Sequence, residues 1–138
     1  MKILTILCQK GGVGKTTFVV NLGKLLSHKG YKTLLIDTDP QGNVSTYLNF
    51  DKNSKAALSA TDLFENRLDK EIMKVSENLY LIPSNKSIIK HSSEKIIGGS
   101  KLIKHKNFLT ENGFDLVLID TPPTISSLTQ ESLTISDY

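Results

Sequence analysis

The 138-residue chain has one cysteine, so it cannot form an internal disulfide, a composition that fits a reducing compartment. It also lacks any apolar run near the ~18 residues that a membrane-spanning helix requires. Nine Gly and four Pro without a repeating triplet exclude collagen-like and linker sequences, and 38% hydrophobic residues are too many for a wholly disordered chain. At 15.3 kDa there is room for one domain and one core. The opening Met1-to-Cys8 segment imitates a bacterial lipoprotein signal only faintly: its apolar stretch is short, Leu7 is not small, and a structured motif follows at once. It reads instead as a first strand.

Net charge is small as well. A net +3 is too mild to indicate nucleic acid by itself, but it is unevenly spread. Between Lys86 and Lys106 lie six lysines and one glutamate, a net of +5 that leaves −2 for the remainder. A solvated helix face is the simplest reading of that stretch, and a polyanion contact is the alternative.

The strongest pattern is strand, glycine-rich loop, helix, strand. Ile3 to Cys8 is a nearly continuous apolar run, as in a strand buried on both faces, with Cys8 as a small core residue. From Lys15 a helix is predicted whose apolar residues Phe18, Leu22, Leu25 and Leu26 share one side, ending near Gly30 in a left-handed cap. Thr33–Ile36, Leu79–Ile82 and Phe114–Ile119 read as further strands, and a helix starts near Ser127. Asp51–Ser54 reads as a turn, and Thr61 as the cap of a short helix containing Leu63 and Phe64. Ile89, Ile96 and Ile103 recur every seven residues, which predicts helical segments broken at Gly98-Gly99. Alternating strands and helices of this kind predict an α/β fold with an open, mainly parallel sheet, helices on both faces, and a ligand site at the carboxyl ends of the strands.

Three loops that follow strands carry the chemistry. Lys10-Gly11-Gly12-Val13-Gly14-Lys15-Thr16-Thr17 is a phosphate-binding loop, since its glycines let backbone N–H groups turn around a phosphate chain at the N-terminus of a helix. Lys15 would reach the β and γ phosphates, and the Thr16 hydroxyl would ligate Mg²⁺. The usual G-x-x-x-x-G-K-[ST] pattern is broken by Gln9, where glycine is expected. Asp37-Thr38-Asp39-Pro40-Gln41-Gly42-Asn43 puts two carboxylates past a strand, where a surface turn needs at most one. Asp39 would orient or deprotonate an attacking water, and Asp37 would hold the Mg²⁺ shell through water. Asp120-Thr121-Pro122-Pro123 supplies a second magnesium-side carboxylate. His28, His91 and His105 lack zinc-like spacing and read as surface residues, and Asn85-Lys86-Ser87-Ile88 lacks the aspartate of a guanine-reading motif.

These three motifs, in this order, closely resemble the ParA/Soj group of the ParA and MinD superfamily of deviant Walker ATPases. The resemblance extends over residues 1–138, including Leu79-Tyr-Leu-Ile-Pro-Ser and Leu128-Thr-Gln-Glu-Ser-Leu. It implies a P-loop NTPase fold and an Mg²⁺-dependent ATPase, with ATP as substrate and a homodimer when ATP is bound. It makes Lys10 the signature lysine that reaches the partner's phosphates, Lys15 and Thr16 the residues serving nucleotide and magnesium, Asp39 the hydrolytic residue and Asp120 the Walker B carboxylate. It further implies a cytoplasmic role in plasmid or chromosome segregation, with a centromere-binding ParB-like partner, non-specific DNA and no membrane. The Pro40-Gln41-Gly42-Asn43 run favours the ParA side over a MinD-like positioning ATPase, and the cysteines of an iron–sulfur relative are absent. A non-catalytic nucleotide-binding fragment that pairs with a full-length homologue is the reading of a different class. Cys8 and Glu131 stand where the family often has asparagine, and Glu131 is placed at the dimer face. Similar proteins continue well past Tyr138, so the chain reads as the N-terminal part of one ParA-like domain. On its own it is expected to leave an apolar sheet edge open, bind nucleotide weakly and turn over slowly.

Overall fold

The computed structural model describes residues 1–50, 57–96 and 99–138. Five strands form one sheet: β1 (Lys2–Ile6), β2 (Thr33–Asp37), β3 (Met73–Ser76), β4 (Leu79–Ile82) and β5 (Leu116–Asp120), in the spatial order β1-β5-β2-β4-β3. All neighbours are parallel except the β3–β4 hairpin. Sequence reading missed β3, a short half-buried strand of alternating burial. Its turn is set by Asn78, which takes φ 60°, a left-handed conformation that asparagine tolerates.

Helices cover both faces, as the alternation of elements predicts. α1 (Lys15–His28) and α2 (Asn43–Tyr47) lie on one side, where Val19, Val20 and Val44 meet Leu35, Leu79, Leu81 and Leu118. On the other, α3 (Ala60–Phe64), the 3₁₀ turn Lys86–His91, α4 (Lys106–Glu111) and α5 (Ser127–Ile135) bury Leu63, Ile88, Leu109 and Leu128 against Ile3, Leu34, Ile36 and Val117. Both faces of β2 are therefore covered, and all five of its residues are buried.

Strand β1 is an exception to the expectation of burial on both faces. It has β5 on one side only, so Ile3 alone is fully buried, and the strand stops at Ile6. Cys8 lies beyond it and is half-buried, not a core residue. On the outer edge, Tyr138 N–H donates to Ile3 O (3.2 Å) and Thr5 N–H donates to Tyr138 O (3.0 Å).

Helix α1 also turns a different side to the sheet than periodicity suggests. Val19, Val20, Gly23 and Ser27 face inward, while Phe18 and Leu25 are more than half exposed. Gly23 explains the rotation, because a Cβ there would lie 2.7 Å from Leu35 Cδ2, so the helix approaches β2 along its least bulky line. Gly30 caps the helix as expected, with φ 90°.

Other differences have equally local causes. Ser59, not Thr61, caps α3, in a capping box completed by Asp62. The Ile89/Ile96/Ile103 repeat is not a helical face, since all three are exposed and only 3₁₀ turns form at Lys86–His91 and Ile103–His105. Asp51–Ser54 and Gly98 lie outside the described residues. The histidines divide: His28 is exposed, whereas His91 stacks on Phe64 (centroids 5.4 Å apart) and His105 Nε2 meets Leu63 O at 2.7 Å, both buried. Nor is the basic stretch one solvated helix face, because Lys90, Lys101 and Lys106 pair with Glu65, Glu94 and Asp137. Glu131 is buried, accepting from Ser100 Oγ and from Leu102 N–H (3.1 Å), and so ties the segment after Gly99 to α5 instead of facing outward.

Asp62 is the keystone of this second layer. Its buried carboxylate accepts from Ser59 N–H (3.0 Å) and Oγ (2.7 Å), from Arg67 Nη2 (2.8 Å) and from Lys70 Nζ (3.1 Å). Burial alone would raise its pKa, but the Ser59, Lys70 and Arg67 donors together hold it down to about 2. A depressed carboxylate stabilises the fold above its unfolded value, near 3.9, and this contribution is lost as pH falls through about 2. Asp62→Ala should therefore cost about 2–3 kcal/mol at neutral pH, from the lost cap and the lost charge-assisted hydrogen bonds to a buried carboxylate. Urea unfolding at pH 7 and again near pH 2 would check it, the difference between variant and parent shrinking at the lower pH.

Candidate functional site

The parallel register sets the site. Ile6 pairs with Asp120 and Asp120 pairs with Asp37, so the carboxyl ends of β1, β5 and β2 finish level, side by side. Each of the three loops singled out in sequence leaves from this line. They surround a crevice of about 530 Å³ walled by Gly11 to Thr17, by Asp39, Pro40, Gln41, Asn43 and Tyr47, and by Pro122, Pro123 and Thr124, with Ile89 at its side.

The phosphate loop is an exposed arch between β1 and α1. Gly12 and Gly14 hold φ of 72° and 88°, left-handed conformations that a residue with a side chain adopts only with strain. A Cβ at Gly11, Gly12 or Gly14 would meet no atom within 4 Å, so the space over the arch is open to a ligand. Gly14 is also the N-cap of α1 and makes no side-chain cap, leaving the first-turn N–H groups of a 14-residue helix facing the crevice. Lys15 and Thr16 start that helix on the crevice wall. Lys10, by contrast, is exposed and does not line the crevice of its own chain.

The second loop is folded around its own aspartates. Asp37, fully buried, accepts from Asp39 N–H (2.9 Å) through Oδ1 and from Val44 N–H (3.1 Å) through Oδ2, clasping the segment from its root to the start of α2. Asp39 Oδ1 accepts from Gln41 N–H (2.9 Å), an Asx turn that presents Asp39 to the crevice. Thr38 reaches across to β5, its N–H and hydroxyl both donating to Asp120 O (2.9 and 2.8 Å). Thr121 completes the line by donating to Ile6 O at 2.8 Å. Sequence reading passed over Thr38 and Thr121, whose only signal is that each adjoins a singled-out aspartate.

Asp120 joins the phosphate loop to the sheet, its Oδ2 accepting from Thr16 Oγ1 at 2.6 Å. Among the described residues its other oxygen is buried without a hydrogen-bond partner, an acceptor that would favour a positive neighbour. Burial raises the Asp120 pKa, and Asp39 adds to it; the Thr16 bond and the Lys15 charge pull the other way, leaving it at about 6. Burial likewise pushes Asp37 well above the usual carboxylate range, reinforced by Asp120 and Asp39 against the two amide bonds. Crowded, desolvated carboxylates beside a threonine hydroxyl form an all-oxygen donor set suited to Mg²⁺, which retains waters and takes one or two carboxylates. Thr16 and Asp120 could hold such an ion, whose charge would favour the ionised form of Asp120; Asp37, with both oxygens accepting backbone amides, could meet it only through water.

Known proteins place this arrangement. The family model described as an AAA domain matches residues 1–138. The sporulation initiation inhibitor protein Soj of Bacillus subtilis is 36% identical over 140 residues, an alignment covering 99% of this chain and 55% of Soj. A plasmid partition protein from Borrelia burgdorferi bound to AMPPNP superposes with a TM-score of 0.83 at 32% identity, over 99% of this chain and 60% of that one. Cobyrinic acid a,c-diamide synthase of Mycobacterium smegmatis, with an ATP analogue and magnesium, gives 0.84 at 29% identity, over 99% and 57%. The chain spans about half the length of the curated relatives it matches. With its phosphate arch, its two aspartate loops and their common register, the chain belongs to the ParA/Soj family of AAA-domain ATPases.

Proposed function

We propose that this chain carries the Mg-ATP site of a partition ATPase, cytoplasmic and acting on plasmid or chromosomal DNA, that dimerises with ATP and separates after hydrolysis. The observation that supports it most is the level register of Ile6, Asp120 and Asp37, which delivers three separate loops to one crevice. In this reading the amides of Gly11 to Thr17 and the start of α1 hold the phosphates, with Lys15 countering the charge of the β and γ groups. Magnesium, held by Thr16 with Asp120 and Asp37 through water, would offset charge on the β and γ oxygens. Asp39 orients a water toward the γ-phosphorus; as the new P–O bond forms, the bond to the β-phosphate oxygen breaks, ADP departs, and the water's proton passes to Asp39 or to solvent.

Lys10 has no place in this crevice, and a cation that faces outward beside the phosphate arch is suited to a second copy's phosphates. A homodimer that exchanges these lysines, a ParB-like partner that prompts hydrolysis and non-specific DNA as the track complete the proposal. Lys10→Ala should bind Mg-ATP as a monomer but fail to pair. Light scattering with AMPPNP would read the mass, and a Lys10→Ala protein that doubles its mass and hydrolyses ATP like its parent would remove the trans role.

A further inference from the structure

Tyr47 is a half-exposed aromatic at the mouth of the crevice, although a phenol ring is ordinarily worth burying. Among the described residues one hydrogen bond holds it there, in which Thr17 Oγ1 donates to Tyr47 Oη at 3.1 Å. Tyr47 is the last residue of α2, whose start is fixed by Asp37 through Val44 N–H. The segment that carries Asp39 is therefore tied at both ends, to the sheet by Asp37 and to the first turn of α1 by Tyr47. The second tie falls on the phosphate loop itself, two residues past Lys15.

A hydroxyl has one proton to donate and can also accept. In this structure the Thr17 hydroxyl donates to the Tyr47 oxygen, and a phosphate oxygen is a much stronger acceptor. With a phosphate chain in the loop, the Thr17 hydroxyl would turn to it, and the Tyr47 hydroxyl would become the donor to Thr17 Oγ1. The number of bonds is kept and their direction reverses, giving a chain from Tyr47 through Thr17 to phosphate in which each bond polarises the next. We infer that Tyr47 is a positioning residue, which senses phosphate through Thr17 and holds the Asp39 loop against the occupied site. The inference rests on the Mg-ATP reading given above and adds to it a residue that none of the three motifs contains.

The test is a double-mutant cycle on Tyr47→Phe and Thr17→Val, read as Mg-ATP affinity and as kcat at saturating ATP, with Thr17→Ser as the variant that keeps the hydroxyl. Each single loss should weaken Mg-ATP about 3- to 10-fold, the size of one hydrogen bond, and the double variant should be no worse than Thr17→Val alone. Tyr47→Phe should also lower kcat while leaving the unfolding midpoint of the nucleotide-free protein in place, and Thr17→Ser should recover most of the affinity lost in Thr17→Val. Effects that multiply in the double variant, or a Tyr47→Phe protein with parental affinity and kcat, would overturn the role of Tyr47 and leave the nucleotide site intact. An unsubstituted protein that does not bind Mg-ATP would overturn both.

Discussion

Lys15→Ala should weaken Mg-ATP binding roughly 100-fold, equivalent to about 3 kcal/mol, because among the described residues it removes the one ammonium lining the crevice. The loss should be large because the other contributors to phosphate binding are backbone amides and helix ends, which supply partial charges that a full cation completes. The fold should survive the change, since Lys15 is the first residue of α1 and alanine is a good helix former there. Titration calorimetry on the substituted protein would show the deficit. Unchanged affinity would mean that the glycine-rich arch is only a way of joining β1 to α1.

Asp39→Ala should leave Mg-ATP affinity within a few-fold of the parent but slow hydrolysis by roughly 10²- to 10⁴-fold, the usual worth of a positioned general base. The two effects separate because Asp39 stands on the crevice wall opposite the phosphate arch and takes no part in the arch's own hydrogen bonds. Its Asx turn through Gln41 N–H complicates an alanine replacement, which could loosen the loop as well as remove the carboxylate. Asp39→Asn keeps an acceptor for that N–H and removes only the charge. Equal slowing in both variants would assign the effect to the carboxylate, whereas parental turnover in both would move the hydrolytic role to another group, with Asp37 the first to test.

The candidate site was legible loop by loop, because within each loop the residues are close together along the chain and the expected chemistry demands particular types: glycines for the arch, a lysine and threonine at the helix start, aspartates just past apolar runs. The α/β class was legible for the same reason, as Thr33 to Asp37 and Leu116 to Asp120 are short apolar runs ending in a carboxylate. What escaped reading depends on neighbours distant in sequence. Periodicity marks α1 as amphipathic, but the small Gly23 against Leu35, not the largest side chains, decides which side turns inward. His91 and His105 are buried because Phe64 and the Leu63 carbonyl happen to await them, an arrangement no spacing rule encodes. Strand β1 has the composition of a central strand, yet within the described residues it lies at one edge of the sheet. Glu131 looked like a surface substitution until Ser100 and Leu102 appeared around it.

The central claim is that the arch, the Asp39 loop and the Asp120 loop form one Mg-ATP site. An amide chemical-shift map of the protein with Mg-AMPPNP tests it most directly, because it reports where the nucleotide sits even when binding is weak. The expected changes centre on residues 10–17, 37–43 and 120–124 together, require magnesium for their full size at Asp120 and Asp37, and vanish in Lys15→Ala. A map without changes, or one centred away from these three loops, would contradict the account.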